Sequence, residues 1–182
     1  MPLSTPVQRQ HLYDRDIECR GFLRADGLWD IEGHLRDARM FLSRTDFHGE
    51  VPAGAPVHVM SMRMTVDEDL TIQAIEAVMD SRPYEVCSGV TPNYQRLVGA
   101  NLRSGFAKAI RDLLGGPEGC THLREMLGPM ATAAFQSVVN YRRQQNAGED
   151  AGAKTRMLNS CYALSSASAV VKVRWPDAYT GD

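Results

Sequence analysis

A chain of 182 residues, 43% hydrophobic and 23% charged, carries enough apolar material to bury a core without disulfide staples. Its formal net charge is −2 with acids and bases interleaved, so there is no basic stripe for nucleic acid and no polybasic segment for an anionic membrane surface. No apolar run approaches the roughly 20 residues of a membrane span, and the opening MPLSTPVQRQ lacks the apolar stretch of a signal peptide.

A cytoplasmic protein is therefore expected, with Cys19, Cys87, Cys120 and Cys161 reduced. Thiols in that setting serve as core residues, metal ligands or nucleophiles. A single domain is expected over residues 1–182, with 1–14 a loose polar lead-in.

Residues 17–24 and 28–38 flank Ala25-Asp26-Gly27, a short turn whose glycine supplies positive φ, and predict a β-hairpin. In its second arm Trp29, Ile31, Gly33 and Leu35 alternate with Asp30, Glu32, His34 and Arg36, the period of a half-buried antiparallel strand. A loop over 48–56 leads to a second hairpin, 57–66 and 70–79, around the acidic turn Asp67-Glu68-Asp69. His58, Met60, Met62, Met64 and Val66 share one strand face there, which places His58 on the apolar side of the sheet.

From Cys87 onward the pattern turns helical. A short helix is expected around Tyr94, Leu97 and Val98. Phe106, Ile110, Leu113 and Leu114 predict a second, stopped by Gly115-Gly116-Pro117. A third opens at Gly119-Cys120-Thr121-His122, with Gly128-Pro129 expected to kink or restart it. Met130, Ala134, Val138 and Tyr141 form its buried stripe. Residues 144–156 read as a polar mobile loop, and 169–173 (Ala-Val-Val-Lys-Val) as a last strand. The predicted class is α+β: a small antiparallel sheet of two hairpins with helices packed on one face.

Four residues carry the candidate chemistry. Cys120 and His122 stand at the first turn of a helix, where free backbone N–H groups favour a thiolate. Hairpin geometry brings His58, at the start of one strand, beside Cys87, expected at the end of the next. A helix packed over that end would bring together four N/S donors, His58, Cys87, Cys120 and His122, a set suited to mononuclear zinc or iron. His122 would be a fourth ligand or a general acid/base. Cys19 and His34 read as a core thiol and a hydrogen-bonded imidazole, His11 and His48 as loop residues, and Cys161 as an outside candidate. Asp26, Asp30 and Glu32 read as a turn former and a solvated strand face.

The segments RADGLWDIEGHL (24–35), GAPVHVMSMRMTVD (54–67), PYEVC (83–87) and GCTHL (119–123) together resemble a bacterial family, domain of unknown function 2889. The order of His58, Cys87 and Cys120 around a hairpin and a late helix also resembles iron–sulfur scaffold proteins of the IscU/NifU type. That resemblance implies a small antiparallel sheet with helices on one side, His58 replacing the scaffold's first cysteine. Met60 stands where the scaffold has an acidic residue. Both departures suit a mononuclear zinc or iron site better than a cluster.

Three functions follow as expectations. The first is a metal-dependent enzyme, hydrolase or lyase in type, acting on a small organic substrate. The second is an iron–sulfur or sulfur-transfer scaffold, and the third a metal-stapled subunit of a larger enzyme. The apolar strands leave an edge that could pair in a homo-oligomer.

Overall fold

The computed structural model describes residues 3–45, 48–145 and 157–181. By internal contacts the chain falls into two compact units, residues 1–140 and 141–182. The first holds both expected hairpins: β1 (Tyr13–Leu23) with β2 (Trp29–Arg39), and β5 (Pro56–Val66) with β6 (Ile72–Ser81). They lie side by side in a four-stranded antiparallel sheet of order β1-β2-β5-β6. A two-stranded ribbon, β3 (Ser43–Thr45) and β4 (Gly49–Val51), fills part of the connection between them. The chain is thus α+β, with the expected antiparallel sheet.

Turn chemistry fixes the two hairpins. Gly27 takes φ 84° and the Asp26 carboxylate accepts a hydrogen bond from the Leu28 N–H at 3.3 Å. At the second turn Asp67 Oδ1 accepts from the N–H groups of Asp69 and Thr71, both at 2.9 Å. That bracing holds Leu70 at φ 65°, where the side chain is buried.

The period-two pattern sorts the sheet into two faces. Ile31, Leu35, Met60, Met62 and Met64 are at most 2% exposed. Each such side chain contributes about 1.5–3 kcal/mol by leaving water. On the opposite face Arg63 bridges Glu32 and Glu76, and His34 Nδ1 lies 3.0 Å from Ser61 Oγ. These groups, with Glu18, Arg20 and Val78, line an open groove of about 420 Å³.

A 3₁₀ segment (Glu85–Leu97) and α1 (Phe106–Leu114) lead to the long helix α2 (Thr121–Gln145). The buried stripe of α2 is Leu123, Met126, Leu127, Met130, Ala134 and Val138. It closes over the apolar face so tightly that a Cβ on Gly33 would stand 2.7 Å from Met130 Sδ and 3.2 Å from Met126 Cε. The expected interruption at Gly128-Pro129 does not end the helix, because the stripe runs on through Met130 and Ala134 and anchors both sides of the proline. Tyr141, expected on the stripe, is exposed.

In the second unit the strand expected over 169–173 is instead a short helix, α3 (Ala169–Arg174). The β-branched valines favour a strand, but Ser168 caps the segment, its Oγ accepting from the Val171 N–H at 3.2 Å. Most of the loop expected over 144–156 lies outside the described residues. No helix among the described residues is long and apolar enough to cross a membrane.

Candidate metal centre

The site is built on one row of the sheet. Arg15 on β1 stands opposite Asp37 on β2, and Asp37 stands opposite His58 on β5. Three chemically active side chains thus share the helix-facing side, at the position following the apolar series Ile31, Gly33 and Leu35. A register shift after Asp37 ends the regular ladder there. Helix α2 supplies the other wall: its first turn sets His122 over Asp37 and His58, and Glu125 one turn on pairs with Arg15.

Asp37 is wholly buried and doubly held. Arg15 donates Nε to Oδ1 and Nη2 to Oδ2, each at 2.8 Å. Burial alone would raise the carboxyl's pKa. The Arg15 guanidinium and a hydrogen bond with the Tyr13 hydroxyl outweigh it and hold Asp37 below its ordinary value. The carboxylate is ionised at neutral pH.

Two imidazoles converge on the same carboxylate oxygen. His58 Nδ1 lies 3.2 Å and His122 Nε2 3.3 Å from Asp37 Oδ2, and the ring centroids are 3.8 Å apart. Burial pushes the His58 pKa down from 6.5 to about 4, with His122 adding to the effect, and burial also lowers that of His122. Both rings are therefore neutral at pH 7, each with a free lone pair. His58 Nδ1 is buried, yet its approach to Asp37 lacks hydrogen-bond geometry, and among the described residues it has no hydrogen-bond partner. Ligand atoms of Asp37, His58 and His122 all lie within 4.8 Å of one another.

Of the four donors read from the sequence, His58 and His122 meet, while Cys87 and Cys120 lie outside the three-residue group. Cys87 does not end the second hairpin. Strand β6 stops at Ser81, and Arg82-Pro83 carry the chain into the 3₁₀ segment, where Cys87 packs at the fringe of the core. The thiol of Cys120 is 3.7 Å from His122 Nδ1, beside the ring nitrogen that does not face Asp37. Cys19 also packs against the core, and burial raises its pKa. Cys161 is exposed, and His48 Nε2 lies 2.7 Å from the Arg82 carbonyl oxygen.

Sequence reasoning missed Asp37 and Arg15. The signal for Asp37 was present: it is the next member of the series Ile31, Gly33, Leu35, an acid on an apolar face. Arg15 lay two residues before the expected start of β1.

No curated protein and no solved structure matches the chain, so the likeness to iron–sulfur scaffolds gains no support from them. A family model does match, over residues 13–136, from the first residue of β1 into the second half of α2, and so spans Arg15, Asp37, His58, Cys120, His122 and Glu125. With more than half of its length matched, the chain belongs to DUF2889, a family described as protein of unknown function.

Proposed function

We propose that this chain is a metal-binding protein whose mononuclear site is Asp37, His58 and His122, and that it works as a metal-dependent enzyme, hydrolase or lyase in type, on a small organic substrate. The observation that carries the proposal is the convergence of two neutral imidazole nitrogens, Nδ1 of His58 and Nε2 of His122, on one buried carboxylate oxygen, with no hydrogen bond among the described residues satisfying the buried Nδ1 of His58. A buried nitrogen without a hydrogen bond costs about 1–3 kcal/mol, and a cation between the three groups would remove that cost.

The spacing supports this reading. With bonds of about 2.0–2.1 Å, two ligand atoms on a tetrahedral zinc stand roughly 3.3–3.4 Å apart. The two nitrogen–oxygen distances here are 3.2 and 3.3 Å. Protonation states fit as well, because metal ligation requires neutral imidazole and ionised carboxylate. Arg15 would hold the carboxylate in place as an outer partner of the site.

Two histidines and one carboxylate leave coordination positions open, the arrangement of catalytic zinc and of non-haem iron(II) sites. The His58 and His122 side chains are 14% and 22% exposed, so one side of the site reaches solvent, which favours a catalytic over a purely structural role. A divalent ion bound there would supply Lewis acidity to a substrate oxygen and lower the pKa of a water. A mononuclear centre is favoured over a cluster scaffold because Cys87 and Cys120 stand outside the donor group.

The test is metal content by elemental mass spectrometry on protein purified anaerobically without chelator. One equivalent of zinc or iron is expected, lost in His58→Ala and His122→Ala and kept in Cys87→Ser. Wild-type protein that neither carries metal nor takes up Zn²⁺ or Fe²⁺ on titration would refute the proposal.

A further inference from the structure

We infer that Cys120 acts on the metal centre through His122, as the hydrogen-bond acceptor that fixes which imidazole nitrogen faces the metal. The inference rests on the metal site proposed above. A neutral imidazole carries its proton on one nitrogen and its lone pair on the other. With the proton on Nε2, His122 would point an N–H at Asp37 and could not ligate there. With the proton on Nδ1, the lone pair of Nε2 is free. Nδ1 lies 3.7 Å from the Cys120 sulfur, within reach of an N–H···S hydrogen bond, while Nε2 is the nitrogen 3.3 Å from Asp37. As acceptor of the Nδ1–H, the sulfur stabilises the ligating tautomer.

The sulfur is held in that place by its own backbone. Cys120 is the residue before the first turn of α2, and its carbonyl accepts the first bond of the helix, from the Arg124 N–H at 3.0 Å. The hydroxyl of Tyr94 clamps both of its peptide groups: it accepts from the Cys120 N–H at 3.2 Å and donates to the Cys120 carbonyl at 3.1 Å. Tyr94 is itself wholly buried. Gly119, just before, packs on the Leu114 carbonyl with no room for a Cβ. These contacts fix the backbone of Cys120, from which its sulfur reaches Nδ1 of His122, two residues on.

The same geometry separates this role from direct ligation. The two nitrogens of one imidazole point away from each other, so a sulfur beside Nδ1 is not beside an ion bound at Nε2. A thiolate ligand to zinc must come within about 2.3 Å of the ion. Cys120 is a positioning residue of the kind that, when removed from other metal sites, lowers affinity about 10–100-fold.

The experiment compares Zn²⁺ affinity and the Co²⁺ absorption spectrum of full-length wild type, Cys120→Ser, Cys120→Ala, Tyr94→Phe and His58→Ala, with urea unfolding of each metal-free protein as a control for folding. Cys120→Ala should bind Zn²⁺ about 10–100-fold more weakly. Cys120→Ser, whose hydroxyl can accept the same hydrogen bond, should stay within a few-fold of wild type, and Tyr94→Phe should fall between them. Co²⁺-loaded wild type should lack a sulfur-to-cobalt charge-transfer band. Unchanged affinity in Cys120→Ala would overturn the inference, and so would a charge-transfer band that disappears in Cys120→Ser, which would make Cys120 a ligand. If His58→Ala binds Zn²⁺ as tightly as wild type, the metal site itself fails, an outcome distinct from failure at Cys120.

Discussion

Acidifying the metal-free protein should destabilise it through His58. Its ring is held neutral by burial, with a pKa of about 4 in the fold against 6.5 in the unfolded chain. As pH falls below 6.5 the unfolded chain takes up the proton first, so the stability present above that value drains away until about pH 4. A fall from 6.5 to about 4, at 1.36 kcal/mol for each pH unit, amounts to roughly 3 kcal/mol, of which about 2.5 kcal/mol is lost by pH 4.5. His122 shifts the same way and adds to the loss. Asp37, whose pKa is lowered below 3.8, loses its contribution only at more acid pH, so it does not mask the window. Urea unfolding with chelator at pH 7.5, 6.5, 5.5 and 4.5 measures the effect. Wild type should lose stability steeply between pH 6.5 and 4.5, and His58→Asn, which has no ionising ring, should lose markedly less. Parallel pH profiles for the two proteins would refute a buried neutral His58.

Asp37→Asn removes the charge that Arg15 grips with two hydrogen bonds while leaving Arg15 in place; it should cost about 3 kcal/mol of stability in chemical denaturation and weaken Zn²⁺ binding. Gly33→Val drives methyl groups against Met130 and Met126. Overpacking of this kind costs about 1–3 kcal/mol, and it should also lever α2 away from the sheet, so that the melting temperature and Zn²⁺ affinity fall together. Leu127→Ala, at a fully buried position of the α2 stripe, should cost about 2–5 kcal/mol in the same denaturation assay.

The sequence by itself determined the four long strands, their buried faces and the two longer helices. Alternation at Trp29, Ile31, Gly33 and Leu35, and at Met60, Met62 and Met64, identified strands and their buried faces, because a strand's side chains alternate whatever it pairs with. Helical spacing found α1 and α2 for the same reason, and a histidine on an apolar strand face marked His58 as needing a partner. What that partner is depended on contacts distant in sequence. Asp37 meets His58 only because β2 and β5 pair in one register, and β1 supplies the Arg15 and Tyr13 side chains that keep it ionised. His122 joins them because α2 docks across that row, and Cys87 does not because β6 ends at Ser81 and the chain turns away. At 169–174 a serine cap prevails over a β-branched run and the segment coils into a helix. Periodicity is a property of neighbours along the chain. Register, docking and the pairing of buried charges belong to segments dozens of residues apart, and only the folded chain brings those together.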